Sequence, residues 1–286
     1  MVQFDRQYRF SAGPAGGSGF EIGTTTPESP TALHIKFSIE KADTETPNTS
    51  NISLWNLNPE HLVILNQKDC VVTLRAGYDN TMTLIFVGVV THIETTLDGG
   101  DRETVIELTD GRIELRDTYV ALSYSGIINT RKIIEDIAAN MGVTLTFSYN
   151  AQFVNLENGF SFIGHGRTAL DKACASSDLT WQIHNGVLQV KAKGDTMTQQ
   201  GYLLSTDSGL IGIPKKITYG DDGTGVGEKT GWEVEYLMNG AIVIGDLIRL
   251  ESKVVTGYFR ILTIEMDGDN LEGDWSCTAR LIEVEP

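Results

Sequence analysis

Hydrophobic and polar positions alternate along the first part of the chain with the period of two that a pleated strand needs to bury one face. Within residues 33–57, Leu33, Ile35, Phe37 and Ile39 alternate with polar residues, and a second alternating run follows a polar connector. We expect these two runs to pair as antiparallel strands. Similar runs follow at residues 71–76, 84–93 and 103–109. Short strands at this spacing predict an all-β domain.

Helical periodicity appears only in the middle of the chain. Residues 130–141 place their apolar side chains on one helical face. Asn129 or Thr130 is placed to cap the start of this helix, and Gly142 lies where a left-handed C-terminal cap belongs. A second amphipathic helix is predicted at residues 168–176, and an Asn-Gly pair between two alternating runs indicates a hairpin. These elements predict a small α+β domain.

The alternating pattern returns near the C-terminus, in runs separated by Asn-Gly, Gly-Asp and Asp-Gly turns. We therefore predict a mainly β chain with an α+β insert, in which two tube-like antiparallel β-barrel domains flank the small α+β domain. The start of the chain is rich in Gly, Ser, Thr and Pro, which favours a flexible arm or a loop that orders against a neighbour. The predicted limits are 1–30 for the arm, 31–119 for the first barrel, 120–204 for the α+β domain and 205–286 for the second barrel.

The 286-residue chain carries a formal net charge of −16. Direct binding to nucleic-acid phosphates requires clusters of Lys and Arg, so this charge argues against nucleic acid as a bound partner. Either the acidic surface serves solubility, or it repels DNA that passes nearby. Cys70, Cys174 and Cys277 are far apart and odd in number, so no disulfide framework is predicted. No run suggests a signal peptide or a membrane span, and we expect a chain made in the cytoplasm that does not insert into a membrane.

No group of residues in the sequence has the spacing of a catalytic or ligand-binding site. The glycine-rich run 223–227 lacks the Lys-Ser/Thr of a phosphate-binding loop, and the acidic turn at 267–270 lacks the glycine and a ligand of a calcium loop. The five histidines show no metal-ligand spacing, and His34 and His184 fall on polar phases of strands, where we expect surface positions. We therefore predict no catalytic, cofactor-binding or metal-binding residue, and no enzymatic activity.

Two tryptophans are the candidate interaction residues. Trp55 points away from Ile52 and Leu54, which alternate with it on the same strand, and Trp275 opens the last strand. Either these indoles are covered by other parts of the chain, or they anchor a subunit interface, where aromatic residues are enriched. We name Trp55 and Trp275 as predicted interface residues.

Both β regions resemble the baseplate hub proteins of phage tails. In the N-terminal region the resemblance rests on an Asn-led apolar strand ending in Trp-Asn-Leu, an Ala-Gly-Tyr turn and an Ile-Phe-x-Gly strand, at residues 48–57, 76–78 and 85–88. In the C-terminal region it rests on Gly245-Asp246, residues 258–261, Gly268-Asp269 and Trp275. Met266 departs from the family pattern, because many members carry histidine there. Together the two regions span about half of the chain.

The resemblance implies a structural virion protein without cofactors. Such hubs are homotrimers in which every subunit contributes two barrels related to tail-tube subunits, so that three subunits present a pseudo-sixfold ring. The ring would join the hexameric tail tube protein to the trimeric central spike protein, contact other baseplate proteins and line the channel for genome DNA, which passes without being specifically bound. The expected location is the tail baseplate of the virion, assembled in the host cytoplasm. On this reading, aspartates and glutamates should concentrate on the lumen face.

Two other functions remain open at this point. A tail-tube or distal-tail adaptor protein would use the same barrel but carry one barrel per chain. A carbohydrate-binding or glycan-cleaving β protein would need paired carboxylates or stacked aromatics in a cleft.

Overall fold

A computed structural model describes residues 5–14, 16–24, 32–45, 47–78, 81–111, 113, 117–198, 201–219 and 229–284. The glycine-rich run 223–227 lies outside the described residues. The helices are α1 (Pro59–Leu65), α2 (Thr130–Met141) and α3 (Gly166–Ala175). The strands are β1 (Arg6–Pro14), β2 (Phe20–Gly23), β3 (Ile35–Ala42), β4 (Thr49–Trp55), β5 (Cys70–Tyr78), β6 (Thr81–Asp98), β7 (Asp101–Thr109), β8 (Tyr119–Tyr124), β9 (Ile128–Asn129), β10 (Thr144–Phe147), β11 (Asn155–Leu156), β12 (Phe160–His165), β13 (Leu179–His184), β14 (Val187–Ala192), β15 (Gly201–Ser205), β16 (Leu210–Tyr219), β17 (Lys229–Leu237), β18 (Leu247–Glu251), β19 (Thr256–Asp269) and β20 (Trp275–Glu283).

The chain divides into two compact units. Unit 1 comprises Met1–Asp43, Asn48–Thr109 and Gln200–Pro286, and unit 2 comprises Thr44–Pro47 and Asp110–Gln199. In the described residues, unit 1 is built from strands with α1 and a 3-10 turn at Thr206–Ser208, whereas unit 2 combines α2 and α3 with short sheets. The predicted fold class, mainly β with an α+β insert, is therefore confirmed.

In the part of unit 1 that the structure describes, thirteen strands form one hydrogen-bonded sheet. The main path of this sheet runs β16-β17-β20-β19-β3-β4-β7-β6-β5-β1-β2, and β18 and β15 branch from β19. One side of the sheet supplies a continuous apolar core, because residues alternate between its two faces along every strand. The two β regions that the sequence separates by about a hundred residues thus share one sheet and one core.

The two β regions repeat the same strand order. We call β1–β7 the N-terminal half of unit 1 and β15–β20 its C-terminal half. The order β3-β4-β7-β6-β5 in the first half corresponds to β16-β17-β20-β19-β18 in the second. The prediction that each half closes as a tube-like barrel stays a prediction, but the duplication of the strand order gives it a physical basis.

A β-bulge marks the same position in both halves. The ladders β4–β7 and β17–β20 each contain seven residue pairs, and matching them end to end aligns the halves. In this alignment the register shift of β6, between Val90 and His92, coincides with the shift of β19, between Ile261 and Thr263. Bulges bend a strand and increase its local twist, so both long strands change direction at equivalent points.

An antiparallel ladder between β3 and β19 joins the two halves. It contains seven pairs, from Ala42 opposite Thr263 to Lys36 opposite Asp269. Phe37 lies opposite Gly268, and its ring covers the glycine so closely that an added Cβ would lie 2.2 Å from the ring Cζ. The absence of a side chain at position 268 therefore allows the tip of the aromatic ring to lie against the neighbouring strand.

Side chains reinforce this junction from both halves. The indole of Trp275 packs edge-on against Phe37 and donates a hydrogen bond to the Gly77 carbonyl oxygen at 3.2 Å. The hydroxyl of Tyr78 donates to the carbonyl oxygen of Trp275 at 2.7 Å. Arg260 on β19 forms an ion pair with Asp43, and both side chains are only 12% exposed.

The described part of the N-terminal segment is ordered, which favours the alternative of a segment that orders against a neighbour over that of a flexible arm. Arg6–Pro14 forms strand β1, which pairs with β5 over nine residues, and Phe20–Gly23 pairs back onto β1. Tyr8 and Phe10 are fully buried in the core of unit 1. The high Gly and Ser content obscured this short alternation of apolar residues, and pairing with β5 supplies the order that the segment's composition does not.

The helix caps and the hairpin of unit 2 lie where the sequence predicts them. The side chain of Asn129 accepts a hydrogen bond from the Arg131 backbone N–H at the start of α2, and Gly142 ends this helix in the left-handed region at φ 72°. The hairpin β13–β14 turns at Asn185-Gly186, where both residues have positive φ. The expectation that His184 lies at the surface is wrong, because this residue is 5% exposed at the hairpin end of β13.

We predict that Gly268→Ala destabilises the junction between the two halves by about 1–3 kcal/mol, because the new methyl group overlaps the ring of Phe37. Urea unfolding at a fixed protein concentration measures this change. The double variant Gly268→Ala/Phe37→Leu should lose less than the sum of the two single variants, since the smaller side chain removes the overlap. Additive losses would show that Phe37 does not pack over Gly268.

We also predict a pH dependence of stability that comes from Asp246. Burial raises the pKa of this carboxyl to about 6, despite the hydrogen bond that it accepts from the Val243 N–H. The folded state therefore binds the proton more tightly than the unfolded state, whose pKa is near 3.8. The contribution to stability is complete below pH 4 and decreases by about 2–3 kcal/mol as the pH rises to 6.

The difference between the wild type and Asp246→Asn isolates this effect. The two proteins should be equally stable near pH 4, and the variant should be the more stable above pH 6, because its amide accepts the same hydrogen bond without a charge. Chemical unfolding at several pH values measures the difference, and a constant difference would contradict the assignment.

Candidate assembly surface

The face of the large sheet that points away from the core is polar and acidic. On the eight strands from β16 to β6, each position that faces away from the core lies opposite another such position on the neighbouring strand. We define the acidic face by nine carboxylates at these positions, none of them buried: Glu40, Glu94, Glu103, Glu107, Glu233, Glu235, Glu265, Asp267 and Asp269.

Few cations balance these carboxylates. Lys36, Lys215 and Arg280 lie on the same rows of the described sheet, and Lys215 and Arg280 both approach Glu233, at 3.8 and 3.4 Å. The same asymmetry holds between the units. Unit 2 contains ten acidic and eight basic residues, whereas unit 1 contains the other 28 acidic and 14 basic residues. Almost all of the net negative charge is therefore carried by the part of the chain that forms the large sheet.

The acidic face includes a direct like-charge pair at the junction of the halves. Glu40 on β3 lies opposite Glu265 on β19, and the next residue across the sheet from Glu265 is Thr278 rather than a cation. Like charges directly opposite each other destabilise a sheet. The pairing of β3 with β19 therefore gains nothing from charge attraction at this position.

Trp55 lies at one end of the acidic face. Its ring is partly exposed and stacks on His34, with ring centroids 3.9 Å apart. His34 in turn forms a 3.0 Å contact with Asp269 through Nε2. Burial alone would raise the pKa of Asp269, but hydrogen bonds from the backbone N–H groups of Leu271 and Glu272 and from His34 outweigh burial and lower it. His34 is therefore a half-buried, partnered residue and not a free surface histidine.

The second tryptophan is placed differently. Trp275 is 4% exposed, and its polar groups bind Gly77 and Tyr78 of the same chain. An indole with so little free surface has almost no area for another subunit, so the structure gives it an intrachain role at the junction. The sequence already indicates that Trp275 points into the core, because it lies on the same face of β20 as the buried residues Cys277, Ala279 and Leu281. The role of Trp55 in a subunit interface stays a prediction.

The described residues contain little that resembles a chemical site. Within them, no group of three or more His, Cys, Asp or Glu is arranged to hold a metal ion. All three cysteines are buried, and burial raises the pKa of the Cys174 thiol to about 12, with further contributions from Asp171 and Glu45. No helix in the described ranges is long and apolar enough to cross a membrane.

Known structures share this fold. The 43 kDa tail protein of prophage MuSo2 from Shewanella oneidensis is similar with a TM-score of 0.63 and 9% identity, covering 98% of both chains. An Escherichia coli component of the type VI secretion system, described as similar to the T4 tail proteins gp27 and gp5, is similar with a TM-score of 0.59 and 10% identity. The match covers 91% of this chain and 76% of that chain. A chain of the Francisella PdpA–VgrG complex is similar with a TM-score of 0.60 and 8% identity, and the match covers 99% of this chain and 53% of that chain. At these identities the likeness establishes the fold.

The fold is that of phage tail and baseplate proteins. A search of curated protein sequences gives no significant match. A family model described as baseplate hub gp41 matches residues 20–267, which is most of the chain. The chain therefore belongs to the baseplate hub gp41 family, a family of structural proteins of the phage tail baseplate, and the resemblance seen in the sequence is confirmed.

We predict that Glu40→Gln stabilises unit 1 by about 0.2–1 kcal/mol at low ionic strength, because it removes the like-charge contact with Glu265. The gain should shrink in 1 M salt, where charges are screened within about 3 Å. Glu107→Gln is the matched control, since Glu107 lies opposite Asn51 and His92. Thermal unfolding at pH 8 measures both variants. An equal effect of the two variants would show that the Glu40–Glu265 pair carries no specific cost.

Proposed function

We propose that the protein is the trimeric hub of a phage tail baseplate, in which three copies form a pseudo-sixfold ring between the hexameric tail tube and the trimeric central spike. The observation that carries this proposal is the duplication inside unit 1. Two halves with the same strand order and the same bulge supply two equivalent wall segments per chain. Three chains then offer six segments to a sixfold tube while keeping threefold symmetry toward the spike.

The acidic face suits the wall of a channel for DNA. A surface rich in carboxylates repels phosphates, so genome DNA passes without binding. In the proposed ring the acidic face points to the lumen, because the opposite side of the sheet is occupied by the apolar core. A structure of the assembled ring with a neutral or basic bore would contradict this orientation.

The partners follow from this position in the tail. They are two further copies of the chain, the tail tube protein, the central spike protein and other baseplate proteins. A partner on the spike side is supported by the likeness to a secretion-system component that is itself described as similar to two T4 tail proteins. The role is mechanical and not enzymatic, and assembly takes place in the host cytoplasm. The duplicated half favours the hub over a tail-tube or distal-tail adaptor, which would contain one such half.

The number of copies per tail tests this proposal. We expect native mass spectrometry of the isolated chain to give a trimer, and quantitative mass spectrometry of purified tails to give three copies for every six-copy ring of tail tube protein. The tube protein of the same preparation is the internal standard. Six copies per tail, or a chain that stays monomeric and is absent from tails, would contradict the hub.

A further inference from the structure

We propose that copies of the chain join through the open edge of β6 in one copy and the open edge of β16 in the next, in the register of the β3–β19 ladder. The inference rests on the proposed ring and specifies its contact. Among the described strands, residues 91–98 of β6 pair only with β7, and β16 pairs only with β17. The backbone N–H and C=O groups on the free sides of these two strands therefore have no described strand as a partner.

Each open edge is the counterpart of an edge that is paired within the chain. In the alignment of the halves, β6 corresponds to β19 and β16 corresponds to β3. Beyond its bulge, β19 receives β3 on the side opposite β20. By the same geometry, β6 beyond its bulge receives a strand of the β16 type on the side opposite β7. In the same copy, β16 and β6 lie at opposite ends of the eight strands from β16 to β6 and do not pair. The strand that pairs with β6 therefore comes from another copy.

The alignment fixes the register of this contact. The ladders β3–β4 and β16–β17 place Lys215 at the position of Ser38, and the ladders β6–β7 and β19–β20 place Thr96 at the position of Asp267. Ser38 and Asp267 lie opposite each other within the chain. Thr96 of one copy therefore lies opposite Lys215 of the next, in an antiparallel ladder.

The side chains at the two edges are compatible with this register. Leu97, next to Thr96 on β6, is 79% exposed, and Ile213 on β16 is 68% exposed just before Lys215, where the β16–β17 register shifts. The contact would cover these exposed apolar groups, which the single chain leaves in water. Pro214 has no N–H to donate, so the new ladder ends there with one hydrogen bond fewer than its counterpart at Phe37.

Charge also distinguishes the two edges. Lys215 is exposed on β16, and in the predicted register it lies diagonal to Glu94, which is exposed on the acidic face of β6. Diagonal neighbours of opposite charge are within reach of long side chains. The β16 edge, with lysines and a proline, therefore matches the β6 edge better than it matches itself.

Cysteine crosslinking tests the contact. The variant Thr96→Cys/Lys215→Cys places two thiols at a directly opposed pair of the kind that a disulfide can bridge, and the three native cysteines are buried. Mild oxidation of this variant in purified tails should give crosslinked dimers and trimers on a denaturing gel without reductant. The matched controls are Thr96→Cys alone and Thr96→Cys/Ile217→Cys, which shifts one partner by two residues. Crosslinking should exceed the controls by at least about tenfold.

The outcomes separate the contact from the proposed function. If tails contain three copies but the Thr96/Lys215 pair crosslinks no better than its controls, the contact is overturned and the hub stands. If the shifted pair crosslinks instead, the proposed register is overturned. If the chain does not assemble into tails in three copies, the proposed function fails, and the contact fails with it.

Discussion

The ladder between β3 and β19 is the interaction on which the architecture of unit 1 depends. It converts two short β regions, separated along the chain by unit 2, into one sheet with one core. Without it, each half would end in an exposed edge strand with unsatisfied backbone groups. The close approach of Phe37 to Gly268, the buried indole of Trp275 and the ion pair of Arg260 with Asp43 all lie at this ladder. Packing, hydrogen bonds and charge pairing are thus concentrated where the two halves meet.

The two faces of the large sheet differ in chemistry. The core face is ordinary, with buried Ile, Leu, Val and aromatic side chains that stabilise the fold by their removal from water. The opposite face carries an excess of carboxylates and places Glu40 against Glu265. A sequence under selection for stability alone would have a cation or a neutral residue at one of these positions. The cost is small against the buried area of the core, so the fold tolerates a predominantly acidic face.

The sequence predicts what depends on local signals. The period of two identifies most strands, the period of 3.6 identifies α2, and Asn129 and Gly142 mark its ends as the structure has them. Strand β1 has no clear local signal, because the glycines that follow Phe10 lower the local hydrophobicity and because its order comes from pairing with β5. The direction of Trp55 follows from its neighbours on β4, and the burial of Trp275 follows from its alternation in phase with Cys277 and Ala279 on β20.

Pairing between distant strands leaves no comparable local signal. The partner of β3 on one side is β4, the next strand in the chain, whereas its partner on the other side is β19, more than two hundred residues away. Nothing in the composition of either strand specifies this choice, because backbone hydrogen bonds are the same for every sequence. The acidic face is therefore visible in the sequence only as a net charge, and it becomes a surface once the ladder aligns carboxylates from both halves.

The two open edges have a consequence for assembly that follows from their difference. A self-complementary edge would pair with its own copy in a twofold dimer and stop there. An edge that pairs only with a different edge produces a head-to-tail series, which either closes into a ring or continues as a filament. The chain already contains one such step, the β3–β19 ladder, held rigidly by the core of unit 1. If every step between copies repeats that internal step, the geometry built into a single chain determines how many copies close the ring.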